Sequence, residues 1–358
     1  MKNVLLRAIA VVLLGGGSLV PIAACTRAVY KGDNGIVITG RSMDFKDDIP
    51  ANLWVLPRGM QREGRIGPSS VTWTSKYGSV VAENFGIATT DGVNEKGLAA
   101  NMLWLAPTKY PAFDGTQRGM AVSIWLQYAL DNFATVAEAV RELGKEEFIV
   151  VSSVIPGTEK FVTVHLALSD ASGDNAIFEY VDGKLVIHHS PDYIVMTNEP
   201  VYEEQLAINK YWESVDGTAM LPGTSRATDR FARASFYLNS IPKTGDERLA
   251  VAKILSVIRN CSVPYGITTQ FPNISTTQWR TATDHKNLRY YFESATSPNL
   301  IWVDLNKLNF SVGAPVLKLT LGANFDYVGD STAFFRPAAM FEFGGLPGVS
   351  PKPFLCGL

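Results

Sequence analysis

The sequence predicts an α+β fold, with antiparallel sheets kept apart from the helices. Three observations predict it. Short apolar or alternating runs come in blocks and do not alternate one for one with helices, which disfavours a doubly wound parallel sheet. The turns Gly173-Asp174 and Asp182-Gly183 join consecutive runs as hairpins, and hairpins pair antiparallel. The helical patterns fall into two groups, one between residues 120 and 143 and one between 203 and 259.

Residues 1–24 read as a leader. Lys2 and Arg7 supply positive charge, an apolar stretch runs from Ala8 to Val20 around Gly15, Gly16 and Gly17, and Ile22-Ala23-Ala24 ends on small residues before Cys25. This is the order of a secretory signal peptide. The apolar stretch is short and broken by glycine, which disfavours a bilayer span. The expectation is therefore a cleaved leader at 1–24 and a single domain at 25–358. The mature protein should be periplasmic or secreted, with no stable membrane insertion.

Cys25 begins the first strand without a tether. Thr26 to Lys31 and Ile36 to Arg41 flank the turn Gly32-Asp33-Asn34-Gly35. Leu53 to Leu56, Val71 to Tyr77 and Phe85 to Thr90 read as short strands. Asp91 to Gly97 reads as turn, and Leu98 to Leu105 as an apolar strand. Met120 to Asn132 carries apolar residues at helical spacing, and Thr135 reads as the N-cap of a helix over Val136 to Leu143 that stops near Gly144. Strands follow at Val162 to Ser169, Ala176 to Tyr180, Lys184 to His188 and Tyr193 to Thr197. Helices follow at Glu203 to Val215, Ala227 to Leu238 and Glu247 to Arg259. Strands at Thr277 to Ala282, Leu288 to Glu293, Ile301 to Asp304 and Val316 to Thr320 complete the pattern, and the Pro- and Gly-rich stretch from Phe334 to Leu358 should wrap the surface.

Composition excludes several classes. Of 358 residues, 46% are hydrophobic and 18% charged, which argues against disorder. The net charge of −2, without a block of like charge, leaves no footprint for nucleic acid. No Cys-x-x-Cys, His-Glu-x-x-His or glycine-rich phosphate loop is present, so no metal and no cofactor is expected. His188 and His189 are adjacent in a strand and point to opposite faces, so they cannot share an ion. In an exported chain Cys261 and Cys356 either pair or stay as buried thiols, and sequence leaves both open. A bond between them would close a long loop, for which the chain-entropy model allows about 4–5 kcal/mol.

Cys25 is the odd cysteine. Cleavage before it would leave a thiol and a free α-amine on one residue. Their ordinary pKa values, about 8.5 and about 7.7–8.0, lie near neutrality. The amine can take the thiol proton without a histidine, which is how N-terminal nucleophiles are activated. Arg41, at the end of the paired strand, can supply the positive charge that a thiolate needs. Asp44 can orient the terminal ammonium. His165, His188, His189 and His285 carry no local signature of a Cys–His protease and read as structural.

The stretches Cys25-Thr26-Arg27, Gly40 to Asp44, Asp91 to Leu98, Met196-Thr197-Asn198, Asp229-Arg230-Phe231 and Thr277 to Thr281 with Asp284 together resemble the choloylglycine hydrolase and penicillin V acylase family. That family consists of N-terminal-nucleophile linear amide C–N hydrolases. The resemblance covers nearly the whole mature chain. It implies a four-layer α/β/β/α sandwich of two antiparallel sheets. It implies Cys25 as nucleophile, its α-amine as proton acceptor and Asp44 as the group holding that amine. Arg41 and Arg230 would flank the thiol, and Asn198 would donate to the tetrahedral oxyanion. A small-molecule acyl amide would be the substrate, and a homo-oligomer, with the tetramer favoured, the assembly.

Trp104 stands where the bile-salt-cleaving branch has asparagine, and the segment between Asn198 and Arg230 is shorter than in that branch. Both features resemble the Gram-negative subgroup, which is similar to penicillin V acylases and to acylases of N-acyl-homoserine lactones. Conjugated bile salt hydrolysis is the alternative within the family. Met43, Phe45, Met102 and Trp104 lie near the site in sequence and can line an apolar acyl pocket or serve as ordinary core. A reading of another class comes from Ile22-Ala23-Ala24-Cys25, which also resembles a lipobox. A lipidated Cys25 would make the chain a tethered binding module, but the tether expected after such a cysteine is missing.

Overall fold

The computed structural model describes residues 25–49, 51–155, 158, 160–267, 275–297, 299–322 and 325–346. Residues 1–24, where a leader is expected, and Cys356 lie outside the described residues, and with them the possible Cys261–Cys356 bond. Cys261 itself is buried.

The chain opens with an antiparallel pair, β1 (Thr26–Lys31) and β2 (Val37–Phe45), with Thr26 opposite Ser42 and Lys31 opposite Val37. In the turn between them Asn34 and Gly35 adopt φ of 55° and 72°, a region open to these two residue types. This pair lies within a seven-stranded sheet. From edge to edge its order is Val195–Met196, β1, β2, Thr276–Asp284, Arg289–Ser294, Leu300–Asp304 and Gly329–Asp330. A second sheet has nine strands: Lys184–His189, Asn175–Val181, Val164–Ser169, Ala99–Trp104, Ala88–Asn94, Ser79–Asn84, Ala51–Leu56, Leu317–Leu319 and Arg336–Pro337. Both are antiparallel, except that the edge strand Gly329–Asp330 runs parallel to its neighbour.

The side-chain period of two explains the layering. Leu53 and Val55 join the core shared with the seven-stranded sheet, whereas Trp54 and Leu56 turn to a separate core. Ala167 and Ile177 follow the first pattern, and Leu166, Leu168, Ala176 and Phe178 the second. The second core is closed by α1 (Val122–Asn132) and α2 (Val136–Leu143). Thr135 caps α2 by accepting from the Glu138 N–H at 3.2 Å. On the far face of the seven-stranded sheet lie α3 (Tyr202–Val215), α4 (Ala227–Ser240) and α5 (Glu247–Cys261). A Cβ at Gly40 would come within 2.8 Å of the Ile254 and Ile258 side chains, so α5 lies against β2 because residue 40 has none. The result is the expected α/β/β/α order.

Four sequence expectations need correction. β2 does not stop at Arg41 but runs through Asp44 to Phe45. The strand at Ser79–Asn84 was not anticipated. Phe85 and Gly86 form the turn after it, at φ of 58° and 68°, and the next strand runs through Asp91 to Asn94, which reads as turn in sequence. Asn94 is turn-like only in composition: buried, its Nδ2 donates to the carbonyls of Leu130 and Phe133. Of Val71 to Tyr77 only Thr72–Thr74 is strand, in a small hairpin with Gln61–Glu63. The Pro- and Gly-rich tail has its described part, to residue 346, against the second core through Phe341 and Phe343.

Candidate active site

Cys25 sits at the start of β1, where the sandwich interior meets the α4 layer, and is buried at 3% exposure. Its Sγ lies 3.4 Å from the Asp44 backbone N–H nitrogen and 3.9 Å from Met43 Sδ. The extension of β2 past Arg41 brings both residues there.

Two arginines reach Cys25 from opposite layers. Arg41 comes from the space between the sheets. Its Nη2 donates to the Met102 carbonyl at 2.9 Å, its Nη1 lies 3.6 Å from Asp91, and its guanidinium stacks 4.5 Å above the Trp279 ring. Arg230 comes from the first turn of α4. It donates to the Cys25 carbonyl, to Thr26 Oγ1 at 2.8 Å and to Asn198 Oδ1 at 2.8 Å. Asn198 in turn donates Nδ2–H to the Trp104 carbonyl at 2.7 Å. Its second Nδ2 hydrogen is not used by that bond.

Trp104 contributes backbone as well as ring. The Leu105 N–H donates to Thr163, on the Val164 side of its strand. Backbone groups alternate along a strand, so the Trp104 N–H and C=O point the other way. Pairing on that side ends at Asp91 opposite Asn101, and the Trp104 N–H lies beyond it.

The electrostatics correct one expectation. Arg41 and Arg230 do pull the Cys25 thiol down, but burial, reinforced by Asp44, pushes it up further, so the thiol lies above its usual range. The two arginines alone do not bring the thiol below its usual range. Asp44 is fully buried, and burial raises its carboxyl to about 6 against the pull of Arg230, a Thr277 hydrogen bond, Arg41 and Arg280. Its Oδ2 lies 3.4 Å from Ser42 Oγ, while its Oδ1 has no partner among the described residues. An unpartnered buried carboxylate oxygen is costly.

An almost wholly apolar cavity opens from the Cys25 thiol. All four acyl-pocket candidates line it: Met43, Phe45, Met102 and Trp104. Sequence reasoning missed its other walls, among them Phe85, Ile87, Val122, Ile155 and Val164. Phe85 packs edge-on to Phe45 at 5.8 Å. These residues come from four separated segments, and only the sandwich brings them together. Asn84 and Thr90 also line the cavity, and Asn84 Oδ1, Thr90 Oγ1 and Trp104 Nε1 have no partner among the described residues. Trp279, within a stretch quoted for the resemblance but given no role, proves to be the platform for Arg41. Among the described residues no group of His, Cys, Asp or Glu is arranged to hold a metal, and no helix is long and apolar enough to cross a membrane.

Known proteins resemble this chain in sequence and fold. The family model for linear amide C–N hydrolases of the choloylglycine hydrolase family matches residues 25–318. The chain is 50% identical over 364 aligned residues to a penicillin V acylase of Pectobacterium atrosepticum, covering 95% of this chain and 96% of that one. A solved penicillin V acylase structure from Agrobacterium tumefaciens superposes with a TM-score of 0.84 at 56% identity, covering 90% of this chain and all of the other. A mutant conjugated bile acid hydrolase from Clostridium perfringens shares the fold, with a TM-score of 0.70 at 20% identity, over 85% of this chain and 99% of that one. The chain belongs to the choloylglycine hydrolase family of linear amide C–N hydrolases.

Proposed function

We propose that the mature protein begins at Cys25 and cleaves penicillin V and long-chain N-acyl-homoserine lactones with that cysteine as nucleophile. The observation that carries the reading is the apolar cavity ending at Cys25 Sγ beside a buried carboxylate with an open oxygen. A terminal ammonium at Cys25 is the partner that Asp44 Oδ1 lacks.

The α-amine takes the thiol proton, and the thiolate attacks the acyl carbonyl carbon. The oxyanion accepts from the second Nδ2–H of Asn198 and from the Trp104 N–H. Collapse breaks the C–N bond, the α-ammonium protonates the leaving amine, and a thioester remains. A water that gives its proton to the amine hydrolyses the thioester and restores the thiol. Arg41 and Arg230 offset negative charge on sulfur, and the apolar walls hold the phenoxyacetyl or fatty acyl group.

The reading includes export, supported by the order of residues at 1–24, and a homotetramer, supported by the family resemblance. Purified protein starting at Cys25 should release the acyl group from penicillin V and from a long-chain acyl-homoserine lactone, and turn over conjugated bile salts more slowly. Cys25→Ala should abolish release with the fold retained. Activity surviving in Cys25→Ala, or a diacylglyceryl adduct on Cys25 by mass spectrometry, would reject the reading.

A further inference from the structure

Glu179 is enclosed on the Asn175–Val181 strand, and no step above uses it. Its Oε1 lies 2.9 Å from His165 Nδ1. Its Oε2 accepts from the Tyr202 backbone N–H at 2.9 Å, at the start of α3, and lies 3.3 Å from His188 Nε2. The other nitrogen of His165, Nε2, lies 2.8 Å from the Thr197 carbonyl oxygen. A carboxylate and a carbonyl both accept, so both His165 contacts are hydrogen bonds only when each ring nitrogen carries a proton. Burial pushes the Glu179 carboxyl up, but bonds from His165 and His188, the charge of His165 and the Tyr202 N–H outweigh it and hold the group at about 2. It is therefore a carboxylate throughout the neutral range.

Thr197 immediately precedes Asn198. One carboxylate thus grips the segment from 197 to 202 at both ends, Thr197 through His165 and Tyr202 directly. Asn198 lies between the two grips. Its side chain is held by Trp104 and Arg230, but its backbone is aimed by the Thr197 peptide plane. Small misplacement of a catalytic donor lowers rate steeply, about 10²-fold for 1 Å.

We propose that His165 and Glu179 form a clamp that positions Asn198 as an oxyanion donor, His165 acting through the Thr197 carbonyl. They are positioning residues and do not touch substrate. The inference rests on the role given to Asn198 above.

Two substitutions at one position separate the clamp from plain stability. In Gln the side-chain nitrogen falls near the place of His Nε2, so His165→Gln keeps the donor to Thr197 and gives up the bond to Glu179. In Asn it falls near Nδ1, so His165→Asn keeps Glu179 and leaves the Thr197 carbonyl unpaired. Each variant loses one buried hydrogen bond, and His165→Gln, which gives up the charged partner, should lose at least as much melting temperature as His165→Asn. The clamp predicts that His165→Asn lowers kcat about 30-fold or more with KM within about threefold, while His165→Gln keeps kcat within about fivefold. Equal kcat losses in the two variants, or undiminished kcat in His165→Asn, overturn it. Should His165→Asn not fold, Glu179→Gln replaces it, with a kcat loss at unchanged KM expected and undiminished kcat overturning. Asn198→Ala is the control. Full turnover there sinks the oxyanion role itself, whereas an inactive Asn198→Ala beside a fully active His165→Asn sinks the clamp alone.

Discussion

Two buried aspartates neighbour Arg41, and they are treated in opposite ways. Asp91, between the sheets, is saturated: Tyr290 donates to it at 2.6 Å, Asn101 at 2.8 Å, and Arg41 lies 3.6 Å away. Asn101 also accepts from Arg27, whose Nη2 reaches Asn175 at 2.7 Å, so the network ties the sheets together. Asp44, beside Cys25, keeps one oxygen open. A filled network is scaffold, because removing any member strands the rest. An open one leaves room for a further group beside Cys25. We read that group as the amine released by maturation.

The sharpest way to break the contrast is to remove each carboxylate in turn. Asp91→Ala strands the buried Arg41 guanidinium and should destabilise by about 3–5 kcal/mol, read by urea unfolding. An effect near zero would mean that Trp279 and the Met102 carbonyl suffice for Arg41. Asp44→Asn should behave differently. We expect kcat to fall about 10²–10³-fold while the unfolding midpoint moves little, since the native carboxylate is itself poorly satisfied. A loss of stability as large as that at Asp91 would put the two sites in one class.

pH sharpens the same comparison. In the full-length chain, burial pushes the Asp44 carboxyl up to about 6 from its ordinary 3.8. A raised carboxyl favours the folded state at low pH, and that contribution is lost as pH rises through the folded value. Between pH 5 and pH 8 an unprocessed chain should lose on the order of 1 kcal/mol from this group. In the processed chain the adjacent ammonium favours the carboxylate, so the loss should shrink. Urea unfolding of both forms at the two pH values decides it, and identical pH dependence would count against an ammonium at Asp44. The smallest effect concerns the pocket wall: Trp104→Leu should raise KM for penicillin V about fivefold and leave kcat nearly intact, because its ring lines the cavity while its backbone carries the donor.

The sequence showed the strands and helices whose apolar period was clean, including the five α-helices among the described residues and the first hairpin. It hid Ser79–Asn84 and the strand through Asp91 and Asn94, because polar residues buried for a network look like turn. Arg41 and Asp44 could be picked out because they lie within 20 residues of Cys25. Asn198 and Arg230 were legible only through resemblance, since nothing local marks a residue whose partners lie 32 to 205 positions away. His165 and Glu179 were passed over because a strand histidine reads as structural until the atom facing each nitrogen is known.

The central claim is that the base is the α-amine of Cys25. The most direct test compares protein starting at Cys25 with protein carrying one added residue before it, each verified by mass spectrometry. The added residue turns the amine into an amide and leaves the thiol, both arginines and the cavity in place. Loss of acyl release from penicillin V by about 10³-fold or more, with a normal melting temperature, is the predicted result. Unimpaired turnover by the extended protein would contradict the account.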